Sequence, residues 1–148
     1  MSVAEAPRPT LTLIGVDINQ LPAVWEKVRP LLERACEYSA DEFTPASVLH
    51  GMGPEGGLRM LALVDERGFK AIMIVTISVL PKGRALDCLL TSGEDVEEWM
   101  PFEPQMDEWA RELGCVCVRI PRARKGWTRK LPHWQRRSGD CCVLEREI

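Results

Sequence analysis

Apolar residues change their spacing along the chain, and each spacing predicts a different element. Residues 10–16 form a short apolar run that is typical of a strand. Over residues 21–35 the apolar positions recur every three or four residues, which predicts one buried face of a helix. We expect Asn19 to cap this helix and Pro30 to kink or split it, because proline removes one helical hydrogen bond.

A second, shorter helix and a loop follow. Thr44 has the side chain of a good N-cap, and Pro45 fits the first helical turn, where its missing N–H group costs no hydrogen bond. We expect the helix to end near Gly51, because residues 51–57 contain four glycines and one proline.

Three strand-length segments come next, over residues 58–64, 69–80 and 84–91. The long middle segment is apolar on both faces, which is typical of a strand covered on both sides. Only short turns separate the three segments. We therefore expect an antiparallel meander, because short turns cannot join parallel strands.

A strand–helix–strand unit follows the meander. Ser92 begins a capping-box pattern, and the helical pattern is interrupted by Pro101 and Pro104 before it ends at Gly114. Residues 115–120 predict another strand. Because such crossovers within one sheet are nearly always right-handed and parallel, we expect this strand to lie parallel to the last strand of the meander.

A short basic helix at residues 123–131 and a strand at residues 141–147 complete the pattern. The elements together predict an α+β fold, with a single mixed sheet flanked by helices. The chain of 148 residues has the length of one domain. We expect residues 1–9 to form a flexible tail and residues 10–148 to form this domain.

The composition is that of a globular protein, with 45% hydrophobic and 28% charged residues. No apolar run reaches the ~20 residues that a membrane-spanning helix needs. The N-terminus shows no signal-peptide pattern. We therefore expect the cytoplasm as the location and no membrane partner.

The six cysteines are expected to be reduced, because a chain of this length needs no cross-links and most of them lie in apolar runs. The pairs Cys115-x-Cys117 and Cys141-Cys142 lack the spacing at which two thiolates converge on one zinc ion. The sequence therefore predicts no metal site.

Charge is distributed unevenly in the last third of the chain. Residues 94–112 include eight acidic side chains and one basic one, whereas residues 119–137 include eight basic side chains and no acidic one. The basic segment predicts an anionic partner, either nucleic acid or an acidic protein surface. The residues assigned to this surface are Arg122, Arg124, Lys125, Arg129 and Lys130.

Two other interpretations of the basic segment stay open. The segment could be a solvated helix that faces the acidic one, with Trp127 buried between them, or it could contact the 3′-phosphate of coenzyme A. The sequence also leaves open whether the chain forms a homo-oligomer.

The element order β-α-α-β-β-β-α-β-α-β resembles that of the GNAT acyltransferase superfamily over nearly the whole chain. Residues 109–115 (WARELGC) and 124–129 (RKGWTR) are also similar to small GNAT-like proteins encoded by tailed phages and prophages. This resemblance implies a virion, assembly or host-interaction component, located in the host cytoplasm or the virion.

The GNAT resemblance also implies a cofactor site, in which a glycine-rich turn before the crossover helix cradles the pyrophosphate of acyl-CoA. The matching residues here are Leu90, Thr91, Ser92 and Gly93. This turn has one glycine and no basic residue, and it is followed by several carboxylates, which would repel phosphate. The cofactor is therefore either absent or acetyl-CoA.

Many GNAT enzymes use a tyrosine on the last helix to protonate the leaving thiolate. The only tyrosine here is Tyr38, at the end of the first helix, and Trp127 occupies the expected region. The alternative proton donors are Cys115, Cys117 and His133. A general base could act through a water molecule held by Asp87 or Glu103.

These departures favour a non-catalytic GNAT-like protein that works through binding. The alternative is an acyl-CoA-dependent N-acetyltransferase with an atypical pyrophosphate turn. The sequence identifies no catalytic residue, and whether the protein is an enzyme stays open at this point.

Overall fold

A computed structural model describes residues 11–39, 42–92, 98–123, 127–136 and 143–148. Short 3-10 turns at Ile18–Gln20 and Met100–Phe102 precede two of the helices. In chain order the elements are β1 (Thr12–Val16), α1 (Leu21–Glu37), α2 (Pro45–Gly51), β2 (Arg59–Asp65), β3 (Gly68–Leu80), β4 (Gly83–Thr91), α3 (Glu103–Glu112), β5 (Cys115–Ile120), α4 (Trp127–Lys130), β6 (Gln135–Arg136) and β7 (Leu144–Glu147).

The strands form one seven-stranded sheet in the order β1-β2-β3-β4-β5-β7-β6. Strands β1 to β4 are antiparallel neighbours, and β4 and β5 are parallel. The α+β fold with a single mixed sheet is therefore confirmed, as are the meander and the parallel crossover. The sequence did not predict β6, because it has only two residues.

Helix α1 is continuous through Pro30, so the expected split is wrong. Pro30 and Glu26 lie on the exposed side of the helix, where a carbonyl group without its N–H donor can face water. The expected cap is also wrong, because Asn19 lies inside the preceding 3-10 turn. In that turn the N–H of Asp17 donates to Oε1 of Gln20 at 2.8 Å.

The start of α2 follows the prediction. The N–H of Ser47 donates to Oγ1 of Thr44 at 3.1 Å, and the N–H of Thr44 donates to Oγ of Ser47 at 2.9 Å. The loop after α2 folds back on the end of the helix. A Cβ atom at Gly56 would lie 2.0 Å from the carbonyl oxygen of Gly51, so the loop requires glycine at this position.

The two faces of the sheet carry separate hydrophobic clusters. Helices α1 and α2 cover one face, and α3 and α4 cover the other. The first cluster includes Val28, Leu32, Met60, Ile72, Ile74 and Leu90. The second includes Met73, Cys88, Trp99, Met106, Val118, Ile120, Trp127 and Leu131.

The ends of the crossover helix show what its prolines and glycine do. Pro104 lies in the first turn of α3, where its missing N–H group costs no hydrogen bond. Gly114 follows the helix with a φ of 80°, the left-handed conformation expected there. The first part of the predicted crossover helix, at residues 93–97, lies outside the described residues.

Cys36, Cys88, Cys115 and Cys117 are free and buried, whereas Cys141 and Cys142 lie outside the described residues. Within the described ranges, no group of three or more histidine, cysteine, aspartate or glutamate side chains is arranged to hold a metal ion. None of the helices described is both long enough and apolar enough to cross a membrane.

Candidate functional site

Strands β4 and β5 separate partway along their length. Their pairing runs from Arg84 opposite Cys115 to Asp87 opposite Arg119, but β4 continues to Thr91. A bulge in β4 accompanies the separation, because Cys88 and Leu90 face consecutive residues of β3 and Leu89 is the extra residue. Beyond the last pair, Cys88 of β4 and Ile120 at the end of β5 line an opening between the two parallel strands.

A buried ion pair lies at the vertex of this opening. Nε of Arg119 donates to Oδ1 of Asp87, and a second guanidinium nitrogen donates to Oδ2, both at 2.8 Å. The hydroxyl of Ser78 donates to the same Oδ2 at 2.5 Å. The hydrogen bond to Asp87 raises the pKa of Arg119 further above its usual value. The two carboxylate oxygens of Asp87 in β4 thus accept hydrogen bonds from Arg119 in β5 and Ser78 in β3, which links the three strands.

The opening leads into a cleft, which we call the outer cleft, and residues of both hydrophobic clusters line it. It contains about 500 Å³ of empty space, most of it too narrow for water, and continues into a pocket of about 530 Å³. Leu89 and Leu90 line both parts. The walls of the outer cleft include Tyr38, Thr91, Ile120, Arg122 and Trp127.

A second space, the inner cavity, lies on the α3 side of the sheet. It contains about 390 Å³ of empty space, most of it too narrow for water. It shares Met73, Cys88 and Ile120 with the outer cleft, so the two spaces meet at the opening between the strands. Burial, together with the charge of Asp87, raises the pKa of Cys88 to about 12. The thiol of Cys88 is therefore neutral at physiological pH.

A cluster of polar side chains borders the inner cavity. Nε2 of His133 lies 2.9 Å from each carboxylate oxygen of Glu103, and Nε1 of Trp134 donates to Oε1 of Glu103 at 2.8 Å. The guanidinium of Arg146 donates to both oxygens of Asp107, at 2.5 and 2.6 Å, and lies 5.2 Å from the ring centroid of Trp134. The hydrogen bond to Asp107 raises the pKa of Arg146.

Glu103 and His133 were separate candidates in the sequence, and the structure brings them together. No sequence pattern predicts this contact, because the pair depends on how the segment after α4 folds over the first turn of α3. Nε of Arg146 is buried and lies 3.9 Å from Oε2 of Glu103. It has no hydrogen-bond partner among the described residues.

Tyr38 lies in the wall of the outer cleft, which the sequence analysis missed. Helix α1 starts at the end of β1 and runs back along the sheet, so its last turn reaches the end at which β4 and β5 separate. Tyr38 is 41% exposed there and shares the cleft with Leu90. The alternative donors Cys115 and Cys117 are buried outside the cleft lining, and burial raises the pKa of both.

Comparison with known proteins gives a consistent result at the level of the fold. No protein-family model matches the sequence, and no curated protein matches it. A probable acetyltransferase from Staphylococcus epidermidis is similar in structure, with a TM-score of 0.65, 8% identity, and coverage of 94% of this chain and 99% of that one. The PaiA N-acetyltransferase from Thermoplasma acidophilum, solved in complex with coenzyme A, gives a TM-score of 0.56 and 10% identity, with the same coverage.

A third structure belongs to a GNAT-family acetyltransferase from Listeria monocytogenes. Its TM-score is 0.54 at 12% identity, and the likeness covers 93% of this chain and 95% of that one. The chain has the GNAT fold. The expected phage origin stays a prediction.

The GNAT fold gives a position to each predicted cofactor residue. Leu90 and Thr91 line the outer cleft. Ser92 is buried and tied to β3, because its N–H donates to the carbonyl of Ile72 at 3.1 Å and its hydroxyl accepts from the N–H of Ile72 at 2.9 Å. Its backbone donor is thus already bonded. Gly93 lies outside the described residues, and cofactor binding at this turn stays a prediction.

The basic side chains of residues 119–137 that the structure describes lie in different environments. Arg119 is bonded to Asp87 inside the sheet, and Arg122 forms an ion pair with Glu42. Trp127 is buried against the core on the α3 side, as one of the interpretations expected. Arg129 is exposed and Lys130 is half-buried, whereas Arg124 and Lys125 lie outside the described residues. Binding of an anionic partner stays a prediction.

A larger pocket, with about 930 Å³ of empty space, lies at the other end of the sheet. Asp17, Met52 and Arg59 line it together with Trp109, and the guanidinium of Arg59 lies 5.8 Å from the Trp109 ring centroid. It shares no lining residue with the outer cleft or the inner cavity. Size alone therefore does not identify the candidate site.

Proposed function

We propose that this protein is an acyl-CoA-dependent N-acyltransferase, the alternative that the sequence analysis ranked second. The observation that carries the proposal is the opening between β4 and β5, where the outer cleft meets the apolar inner cavity. Similar structures with this fold are acetyltransferases, and some were solved with coenzyme A. Acyl-CoA would enter this opening with its thioester near Cys88 and Leu90.

The reaction joins an amine to the acyl carbonyl carbon. The C–N bond forms and the C–S bond breaks, so one proton leaves nitrogen and one reaches sulfur. Tyr38 and Thr91 both line the outer cleft, and the more exposed and more acidic hydroxyl of Tyr38 would donate a proton to the leaving thiolate. Glu103, held by His133 and Trp134 at the inner cavity, would accept the proton from the amine.

Cys88 lies where the two spaces meet, but it is a poor nucleophile. Its pKa of about 12 leaves almost no thiolate at neutral pH. The acyl group would therefore pass directly from CoA to the amine, without a cysteine-bound intermediate.

We expect affinity for acetyl-CoA to be low, with a Kd above about 100 μM. The N–H of Ser92 is already bonded to Ile72, and the sequence after it is acidic. These two observations are also what supports the non-catalytic hypothesis, in which the protein works through binding alone. Catalysis distinguishes the two hypotheses, whereas weak affinity does not.

The test has a binding arm and a turnover arm. Calorimetric titration with acetyl-CoA should give weak binding to the full chain, and Leu89→Glu should abolish it by placing a charge in the cleft. Val79→Glu is the matched control, because Val79 is 82% exposed and lines neither the outer cleft nor the inner cavity.

Release of the CoA thiol should then be measured against a panel of primary amines. Tyr38→Phe should lower kcat by about 100-fold without changing the Kd for acetyl-CoA. Absence of acetyl-CoA binding, or binding without turnover on any amine, would favour the non-catalytic hypothesis.

A further inference from the structure

One ion pair spans the mouth of the outer cleft. Glu42 belongs to the connection between α1 and α2, and Arg122 belongs to the segment after β5. The guanidinium of Arg122 contacts the carboxylate of Glu42. Both residues line the pocket that continues the outer cleft, with Leu89 and Leu90 also in its wall. The pair therefore joins two walls of the site across the space that a ligand must enter.

Arg122 and Glu42 also supply the charged side chains of the described cleft lining. Among the described residues that line the outer cleft and its continuation, Arg122 is the only basic side chain and Glu42 is the only acidic one. The turn after β4 offers no basic residue in the sequence. Among these described lining residues, an anionic group that enters the cleft therefore meets one arginine, which is already bonded to a carboxylate.

Arg122 can exchange the carboxylate of Glu42 for another anion at little cost in free energy. The side chain of Arg122 is 67% exposed and that of Glu42 is 41% exposed, and ion pairs in water contribute little to stability. A guanidinium binds phosphate through two parallel hydrogen bonds, which matches or exceeds what a solvated carboxylate offers. Breaking the contact with Glu42 is therefore a small cost for a phosphate ligand.

We propose that Arg122 is the phosphate-recognition residue of the outer cleft, and that Glu42 occupies it until a phosphate group displaces the carboxylate. This inference rests on the proposed function, in which the phosphate belongs to acyl-CoA. It assigns phosphate recognition to the wall after β5 and not to the turn after β4. Free pyrophosphate carries the same chemistry and is the second probe.

The test compares Arg122→Gln and Glu42→Gln by calorimetric titration with CoA, pantetheine and inorganic pyrophosphate. Arg122→Gln should weaken CoA binding at least 10-fold, because the counter-charge is lost. Glu42→Gln should tighten CoA binding about three- to tenfold, because the competitor is lost. Pantetheine has no phosphate, so neither variant should change its affinity.

Arg29 and Glu33 provide a matched control, because they form an exposed ion pair on α1 at 2.8 Å and line neither part of the cleft. Arg29→Gln and Glu33→Gln should leave CoA binding unchanged. Opposite shifts at Glu42 and Arg122 would then arise from their position and not from net charge alone.

The outcomes separate this inference from the proposed function. If the wild-type protein binds CoA and neither variant changes its affinity, Arg122 is not the recognition residue and the transferase proposal stands. If the wild-type protein does not bind CoA, the transferase proposal fails, and pyrophosphate decides the role of Arg122. Pyrophosphate affinity that is equal in wild type and both variants would overturn the inference.

Discussion

Arg119 and Arg122 are close in sequence, and both form ion pairs beside the opening between β4 and β5. Arg119 lies at the vertex, where its guanidinium makes two hydrogen bonds to Asp87, a residue with only 4% of its surface exposed. Arg122 lies at the mouth, where it and Glu42 are largely in water. The two pairs share their chemistry and differ in their access to solvent.

This difference separates a permanent contact from an exchangeable one. A buried charge that loses its partner keeps its desolvation cost, so the vertex pair cannot open without destabilising the sheet. An exposed charge exchanges its partner for water at little cost. The buried Asp87–Arg119 pair therefore determines where β4 and β5 separate. The exposed Glu42–Arg122 pair can open at little cost in free energy.

The largest expected effect is at the vertex. Asp87→Ala leaves the guanidinium of Arg119 largely buried without its acceptor, and should lower the free energy of unfolding by about 3–5 kcal/mol. Urea denaturation of the full chain measures this value. A loss of less than about 1 kcal/mol in the free energy of unfolding would mean that the Asp87–Arg119 pair is as well solvated as the Glu42–Arg122 pair.

The double variant Asp87→Leu/Arg119→Met is the control for this prediction. It removes both charges and keeps much of the volume, so it should recover most of the stability that Asp87→Ala loses. A double variant as unstable as Asp87→Ala would point to packing and not to an unpaired charge.

A smaller effect should appear at high pH, beside the vertex. The folded pKa of Cys88 is about 12 and its ordinary value is 9.0, so above pH 9 the unfolded chain loses this proton first. Stability should be independent of this thiol below about pH 9 and should fall by about 1 kcal/mol per pH unit up to about pH 12. Urea denaturation between pH 8 and 11 measures the slope.

The matched variant is Cys88→Ala, which lacks the thiol. It should be less stable than the wild type at pH 8 and should show a shallower decline above pH 9. Parallel slopes in the two proteins would mean that water reaches Cys88 and that the region beside the vertex is not sealed.

The smallest effect is expected at the mouth. Arg122→Gln and Glu42→Gln should each change the free energy of unfolding by less than about 1 kcal/mol, because both side chains are solvated. Thermal unfolding followed by circular dichroism is sufficient to measure this change. A loss of several kcal/mol in either variant would mean that the pair is structural and would remove the contrast with Arg119.

The sequence predicted the elements whose cause is local. Thr44 and Pro45 define a helix start, Gly114 defines a helix end, and short turns leave β2, β3 and β4 no arrangement except an antiparallel one. Pro30 was interpreted wrongly because its effect depends on which side of α1 faces water.

The candidate site was harder to predict, because it is built from contacts between distant segments. Tyr38 reaches the cleft through the direction of α1, and Glu103 meets His133 through the fold of the segment after α4. Arg122 was assigned to a binding surface from local charge, which stays a prediction, and its ion-pair partner Glu42 carries no signal in the sequence. Side-chain type identified candidates, and only the tertiary structure determined which of them meet.

The extra residue at Leu89 makes the site depend on the number of residues in β4. In a regular strand, residues two apart face the same side, yet Cys88 packs with the α3-side cluster and Leu90 with the α1-side cluster. Deleting the codon for Leu89 would remove the bulge that accompanies the separation of β4 and β5 and would leave Leu90 on the α1 side, with the composition of the strand almost unchanged. A homologue could thus lose this cleft through a change in length that no comparison of residue types would detect.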